Sequence, residues 1–211
     1  MQNWKSRLRG SKMMDTRVKA IEFDEEKHEY WYLGKRLNGI TGVIGKMLNK
    51  TYSENSMNVQ IGRLYGDTVH KEIENYFNNH DHWFNDSELS TEGAKWIINE
   101  LKAFCDSLIL DRADKIECEV MVSDFEGTAS KIDVVVRTDV GSYIFDVKTT
   151  SHFDRAYCSL QLSVYKKLYE QNYDEHVLGM YVLGTKSKRA FRIIQQEDSR
   201  VNKILNMNKG V

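Results

Sequence analysis

The 211-residue chain contains no proline, where an average composition would supply about ten. No proline-rich linker exists, and the absence carries no functional implication of its own. Cysteine is scarce: Cys105, Cys118 and Cys158 are an odd number, lie far apart and form no CxxC pair. A disulfide framework, a zinc finger and a four-cysteine iron–sulfur cluster are therefore disfavoured, and a reducing, cytoplasmic setting is expected. No apolar run approaches the roughly 18 residues of a membrane span. The basic start, MQNWKSRLRG, lacks the apolar stretch of a signal peptide. Repeats, low-complexity linkers and a P-loop are also missing. What is present, 41% hydrophobic and 29% charged residues, is the profile of a soluble globular protein. The length suggests one domain, 1–211.

The net charge of −1 hides an asymmetry. Residues 1–20 and 186–211 each carry +5, which leaves −11 for residues 21–185. Basic arms around an acidic centre suit phosphates at the ends and cations in the middle. Solvated ends on an acidic protein give the same pattern, so charge alone decides nothing.

Lys19–Phe23 and Tyr30–Leu33 are short strand candidates, with Gly34 behind the second. Thr41 is placed to cap a short helix reaching about Asn49. A longer helix is expected over 57–79, with Ile61, Leu64, Val69, Ile73 and Phe77 on its apolar side. On it His70 and Glu74 share a face. Another helix is expected over 90–110, capped by Ser90 or Thr91. Then the period changes to two: Ile116–Ser123, Ser130–Thr138 and Ser142–Thr149 read as strands. A helix over 154–172 and strands at Val177–Gly184 and Ala190–Ile194 follow, then a terminal helix over 196–209. Short links make the first three strands antiparallel, and the later helix permits a crossover. The class is α/β, with a mixed central sheet flanked by helices and an N-terminal hairpin.

Alternation gives each of the three strands an apolar face and a face carrying acid. A turn centred near Glu126, with Gly127 in the left-handed position, sets Glu119 opposite Asp133. The symmetric link Thr138–Gly141 sets Asp133 opposite Asp146. Like charges opposed on a sheet are destabilising, so such a row needs a proton or a cation. Hard oxygen ligands favour Mg²⁺ or Mn²⁺. Lys148 falls on the same face, where an ammonium can orient an attacking water or offset developing negative charge. That combination suits metal-assisted phosphodiester hydrolysis. On pattern alone, a solvated sheet face is an equal alternative.

Glu119, then Gly127-Thr-Ala-Ser-Lys-Ile-Asp133, then Asp146-Val-Lys148-Thr-Thr, resembles the core motif of the PD-(D/E)XK nuclease superfamily. Gln161-Leu-Ser-Val-Tyr165 resembles the Q-x-x-x-Y motif of its RecB-like members, and Gly66-Asp-Thr-Val-His70 their upstream histidine motif. The hairpin and Gly39-Ile-Thr-Gly-Val-Ile look like phage-encoded exonucleases of that branch. The resemblance spans about residues 20–184.

The resemblance implies a restriction-endonuclease-like core, helix-strand-strand-strand-helix-strand, over 90–184. Residues 1–89 would then supply the hairpin and the helix with His70, and 185–211 a final strand and helix. It implies that Asp133, Asp146, Glu119 and His70 hold Mg²⁺, with Mn²⁺ as substitute, and that Lys148 assists the attacking water. Gln161 and Tyr165 would lie near the scissile phosphate or organise the site. The implied substrate is DNA, linear duplex or single-stranded, in recombination, repair or processing. A recombinase, annealing protein or helicase is the implied partner, and an oligomer is compatible with the family. An exonuclease is the first expectation. A structure-specific endonuclease, or a non-catalytic DNA-binding or assembly module that keeps the fold, is the alternative. In the polar stretch after residue 78, Trp83 and Phe84 are candidates for base stacking or for packing on their own domain, and His80 and His82 give a weak hint of a surface metal site.

Overall fold

Two short links dictate the centre of the molecule. In the computed structural model, which describes residues 14–50, 57–78, 89–108 and 113–207, β4 (Ala113–Ser123), β5 (Thr128–Thr138) and β6 (Ser142–Lys148) form antiparallel neighbours. Cys118 pairs with Val134 and Val120 with Ile132, the register set by a turn centred on residue 126. Val134 pairs with Phe145 and Val136 with Tyr143, the register of a link symmetric about residues 139 and 140. The first turn is built differently from the expectation. Its left-handed residue is Phe125 (φ 60°), not Gly127. The Asp124 carboxylate accepts the N–H groups of Glu126, Gly127 and Thr128 at 2.8–3.0 Å, which fixes the loop without a glycine in the strained position.

Preceding these strands are β1 (Ile21–Asp24), β2 (Glu29–Tyr32), β3 (Lys35–Gly39), α1 (Ile40–Met47), α2 (Met57–Asn78) and α3 (Glu92–Ser107). Following them are α4 (Arg155–Tyr173), β7 (Val177–Gly184), β8 (Arg189–Arg192) and α5 (Asp198–Asn206). From α3 the order is thus helix, three strands, helix, strand. After α4 the chain returns as β7, parallel to β6, and β8 closes antiparallel on β7. β1 starts after a 3-10 turn (Thr16–Ala20) that takes the first part of the expected strand. Leu33 (φ 49°) and Gly34 (φ 77°) form a two-residue turn with both φ positive, the geometry that matches strand twist, and β3 follows. β3 escaped the sequence reading because only Leu37 of its Lys-Arg-Leu-Asn-Gly is buried. The cap of α1 is Gly39 without a side-chain bond, so Thr41 does not serve as its cap. Thr91 does cap α3, accepting from Ala94 N at 3.2 Å.

Helices cover both sides of the sheet. One core joins α1, α4 and α5 to Val120, Val122, Ile132, Val135 and Ile144. The other joins α2 and α3 to Cys118, Val134, Val136 and Phe145. Val134 and Val135 are both fully buried, one toward each layer. Among the described residues, helices thus lie over both faces of the strands, and the apolar faces are not continuous. β4 and β5 change sides together between Cys118 and Val120, and between Ile132 and Val134. The switch falls at Glu119, whose φ of 54° is left-handed. In α2 only Val69 and Ile73 are buried; Ile61 and Leu64, expected inward, are 58% and 67% exposed. No described helix is long and apolar enough to cross a membrane.

Candidate metal centre and active site

β5 has β4 along one edge throughout. Its other edge is shared: β3 pairs with Thr128 and Ala129, and β6 with Val134 to Arg137. Among the described residues, 130–133 have no strand partner on that edge. There a cleft of about 440 Å³ opens. The β1–β2 hairpin supplies one wall through Phe23, Glu25, His28 and Tyr30, and α2 another through Asp67, His70, Lys71 and Glu74. Glu119, Lys131, Asp133, Asp146 and Lys148 come from the strands, and Gln161 and Tyr165 from α4. The structure thus brings the seven residues expected to form the catalytic and metal site around one cavity.

Local packing aims each group. Val69 and Ile73 bury one side of α2 and leave His70 facing the strands. A Cβ on Gly66, one turn earlier, would come within 3.1 Å of Thr149 Oγ1, so this glycine lets α2 lie close to the end of β6. Glu72 clamps the start of α3 by accepting from the backbone and hydroxyl of both Ser90 and Thr91. Left-handed Glu119 turns its carboxylate toward His70, 3.9 Å from Nδ1. Its neighbour Glu117 is excluded from the cleft and bound instead by Lys115 and Arg137. Asp133 Oδ2 accepts the Val147 N–H at 2.6 Å, and Oδ1 lies 3.9 Å from His70 Nδ1.

One donor atom each from His70, Glu119 and Asp133 lie within 4.8 Å of one another, close enough to share an ion. Asp146 stands beside this trio, only 1% exposed. Lys148 Nζ donates to its Oδ1 at 2.9 Å and lies 2.8 Å from Oδ2, off the hydrogen-bonding direction. Oδ2 is consequently a buried oxygen with no donor aimed at it among the described residues. The ammonium offsets its charge, and the oxygen still has lone pairs to offer a cation. Carboxylate oxygens with one imidazole are a donor set that fits a divalent cation of the magnesium or manganese type.

Charge and burial pull the titrations apart. Burial alone would lower the His70 pKa, but Asp133 and Glu119 outweigh it and raise it to about 9. Burial raises Asp146 to about 6; Asp133 adds to the rise, and Lys148 opposes it. Burial also raises Asp133, with Glu119 adding and His70 opposing. For Lys148, burial is overcome by Asp146 and Asp133, so its pKa lies above that of a free lysine and the ammonium stays charged. Without an ion, the site neutralises its carboxylates with protons and cations of its own.

Behind the acids, Gln161 and Tyr165 are 3% and 2% exposed, one helical turn apart. Asp154 caps their helix, accepting from Ala156 and Tyr157. Lys148 Nζ reaches Gln161 Oε1 at 3.5 Å, Gln161 Nε2 donates to Tyr165 OH at 2.9 Å, and Tyr165 OH shares a 3.1 Å bond with Ser130. This buried relay braces the lysine. Sequence reasoning gave no site role to His28 or Phe23, nor to Ser130 and Lys131, which lie inside the Gly127–Asp133 motif. The hairpin stood out only as a whole, and the pairing of β3 with β5 helps to bring its side chains to the cleft. Trp83, Phe84, His80 and His82 lie outside the described residues.

No family model and no curated protein matches the chain. Among solved structures it is similar to a candidate exonuclease from Eubacterium rectale, 15% identical, with a TM-score of 0.40 over 81% of this chain and 76% of that one.

Proposed function

We propose that this chain is a divalent-metal-dependent nuclease that hydrolyses phosphodiester bonds in DNA, an exonuclease of the RecB-like branch of the PD-(D/E)XK superfamily. The observation that carries the reading is the convergence of His70, Glu119 and Asp133 within 4.8 Å, next to a buried Asp146 that shares Lys148. His70, Glu119, Asp133 and Asp146 would hold Mg²⁺, with Mn²⁺ as substitute. When bound, the ion supplies Lewis acidity toward the phosphoryl group and toward water.

The chain's own residues do the rest. Lys148 stays protonated, so it acts as a hydrogen-bond donor to the incoming water or to a phosphoryl oxygen, not as a base. Gln161 holds the ammonium in place, and Tyr165, too buried to touch a substrate freely, holds Gln161. To hold the ion His70 would have to be neutral, since only an unprotonated ring nitrogen can coordinate.

The test is incubation with end-labelled linear duplex, single-stranded and covalently closed circular DNA, each with Mg²⁺, Mn²⁺ or EDTA. Metal-dependent release of nucleotides from linear substrates alone is expected. Cutting of circles would make the enzyme an endonuclease, and no cleavage of any substrate would overturn the reading. Lys148→Ala should lower the cleavage rate at least a hundredfold, in keeping with the loss of a preorganised donor.

A further inference from the structure

The hairpin wall of the cleft holds an aromatic group that the chemistry above does not use. His28 closes the β1–β2 turn, where Asp24 pairs with Glu29 and Lys27 N donates to Asp24 Oδ1 at 3.0 Å. Its φ is 54°, a left-handed conformation that glycine or asparagine adopts at less cost than a residue with an imidazole. The ring is nevertheless held in place. Phe23 packs against it at 5.1 Å and 85°, and Tyr30 at 6.1 Å and 77°. Neither neighbour stacks parallel on the imidazole, and the residue is exposed on the cleft wall. Phe23 in turn is braced by Lys131, whose Nζ lies 4.0 Å from the ring centroid and 3.7 Å from Glu119 Oε2. A continuous chain of contacts thus ties His28 to one of the proposed metal ligands.

A cavity of about 440 Å³ is the size of a small-molecule site. That is enough for one nucleotide with its phosphate. The geometry points to His28 as a stacking residue for an unpaired base next to the scissile phosphate, so that the substrate is a single strand or a frayed end. This rests on the nuclease reading and deepens it. Base stacking on a ring tolerates any sequence.

The test uses the full chain with Ca²⁺ in place of Mg²⁺, and oligonucleotides carrying 2-aminopurine at either terminus, single-stranded or in a blunt duplex. The wild type is expected to quench the fluorophore at one terminus of the single strand and to bind the blunt duplex more weakly. His28→Gly and His28→Asn keep the left-handed backbone. Both should melt no lower than the wild type, lose the quenching and bind the single strand about 5- to 100-fold more weakly, the range of one lost stacking contact. The asparagine variant decides the matter if the glycine variant loosens the hairpin. Unchanged quenching and affinity in both variants, or equal affinity for blunt duplex and single strand, would overturn the inference while cleavage by the wild type still supports the nuclease. A wild type that neither binds nor cleaves DNA overturns both.

Discussion

Asp133 accepts the backbone N–H of Val147 at 2.6 Å, directly beyond the point where β5 and β6 stop pairing. One oxygen therefore completes the sheet while the other faces His70. The two tasks separate by substitution. Asp133→Asn retains an acceptor for Val147 and should fold with a thermal midpoint near that of the wild type. Asp133→Ala leaves that N–H unpaired and should cost about 1–3 kcal/mol in denaturant melts. Calorimetry with Mn²⁺ should find binding weakened at least tenfold in both variants. Retained affinity in either would remove Asp133 from the proposed ligands.

His70 gives a pH signature. Its pKa is raised to about 9 in the folded protein by Asp133 and Glu119, against burial. In metal-free protein the charged ring adds up to about 3 kcal/mol of stability. That contribution is complete below the unfolded pKa of about 6.5 and fades as pH rises through about 9. The stability difference between wild type and His70→Gln should shrink over that window. Metal affinity should move the opposite way, rising from pH 7 to 9 as the proton ceases to compete. A flat affinity profile, or one identical in His70→Gln, would exclude the histidine as a ligand.

Gly66 allows α2 to approach Thr149. Gly66→Val should keep its helix, as far-ultraviolet circular dichroism would record, yet push His70 away from Asp133. Mn²⁺ binding is expected to fall about tenfold or more. Wild-type affinity would show that the helix has room to adjust.

The cleft is acidic: Glu25, Asp67, Glu74, Glu119, Asp133 and Asp146 face Lys71, Lys131 and Lys148. A polyanion meets repulsion there until cations enter. Binding of a single-stranded oligonucleotide, followed by fluorescence anisotropy, should be at least tenfold weaker in EDTA than in Ca²⁺. Equal affinities would place the main DNA contacts elsewhere.

Much of the sheet was legible because short links leave little freedom. The centres of the two turns determine the registers of β4, β5 and β6, although the expected opposed pairs Glu119–Asp133 and Asp133–Asp146 are not themselves ladder pairs. What escaped was any feature set by tertiary contact. The left-handed backbone at Glu119 sends the apolar residues before and after it to different layers, and no alternation pattern records that. Ile61 and Leu64 have helical spacing but no layer among the described residues to cover them. β3 is polar apart from Leu37, and its parallel pairing with β5 spans a long stretch of chain. That pairing is what delivers His28 and Phe23 to the cleft, so those residues had no local signal. The distinction between Glu117 and Glu119 depends on where Arg137 reaches across the ladder.

The divided edge of β5 has a further consequence. The segment ending in Gly39 is both a boundary of the sheet and a wall of the cavity, seated on the same strand that carries Asp133. Trimming the chain before α1 would bare the peptide groups of Thr128 and Ala129 and widen the opening in a single stroke. The hairpin is thus a keystone rather than an ornament: scaffold and cleft wall share one piece of backbone, and neither can be remodelled without disturbing the other.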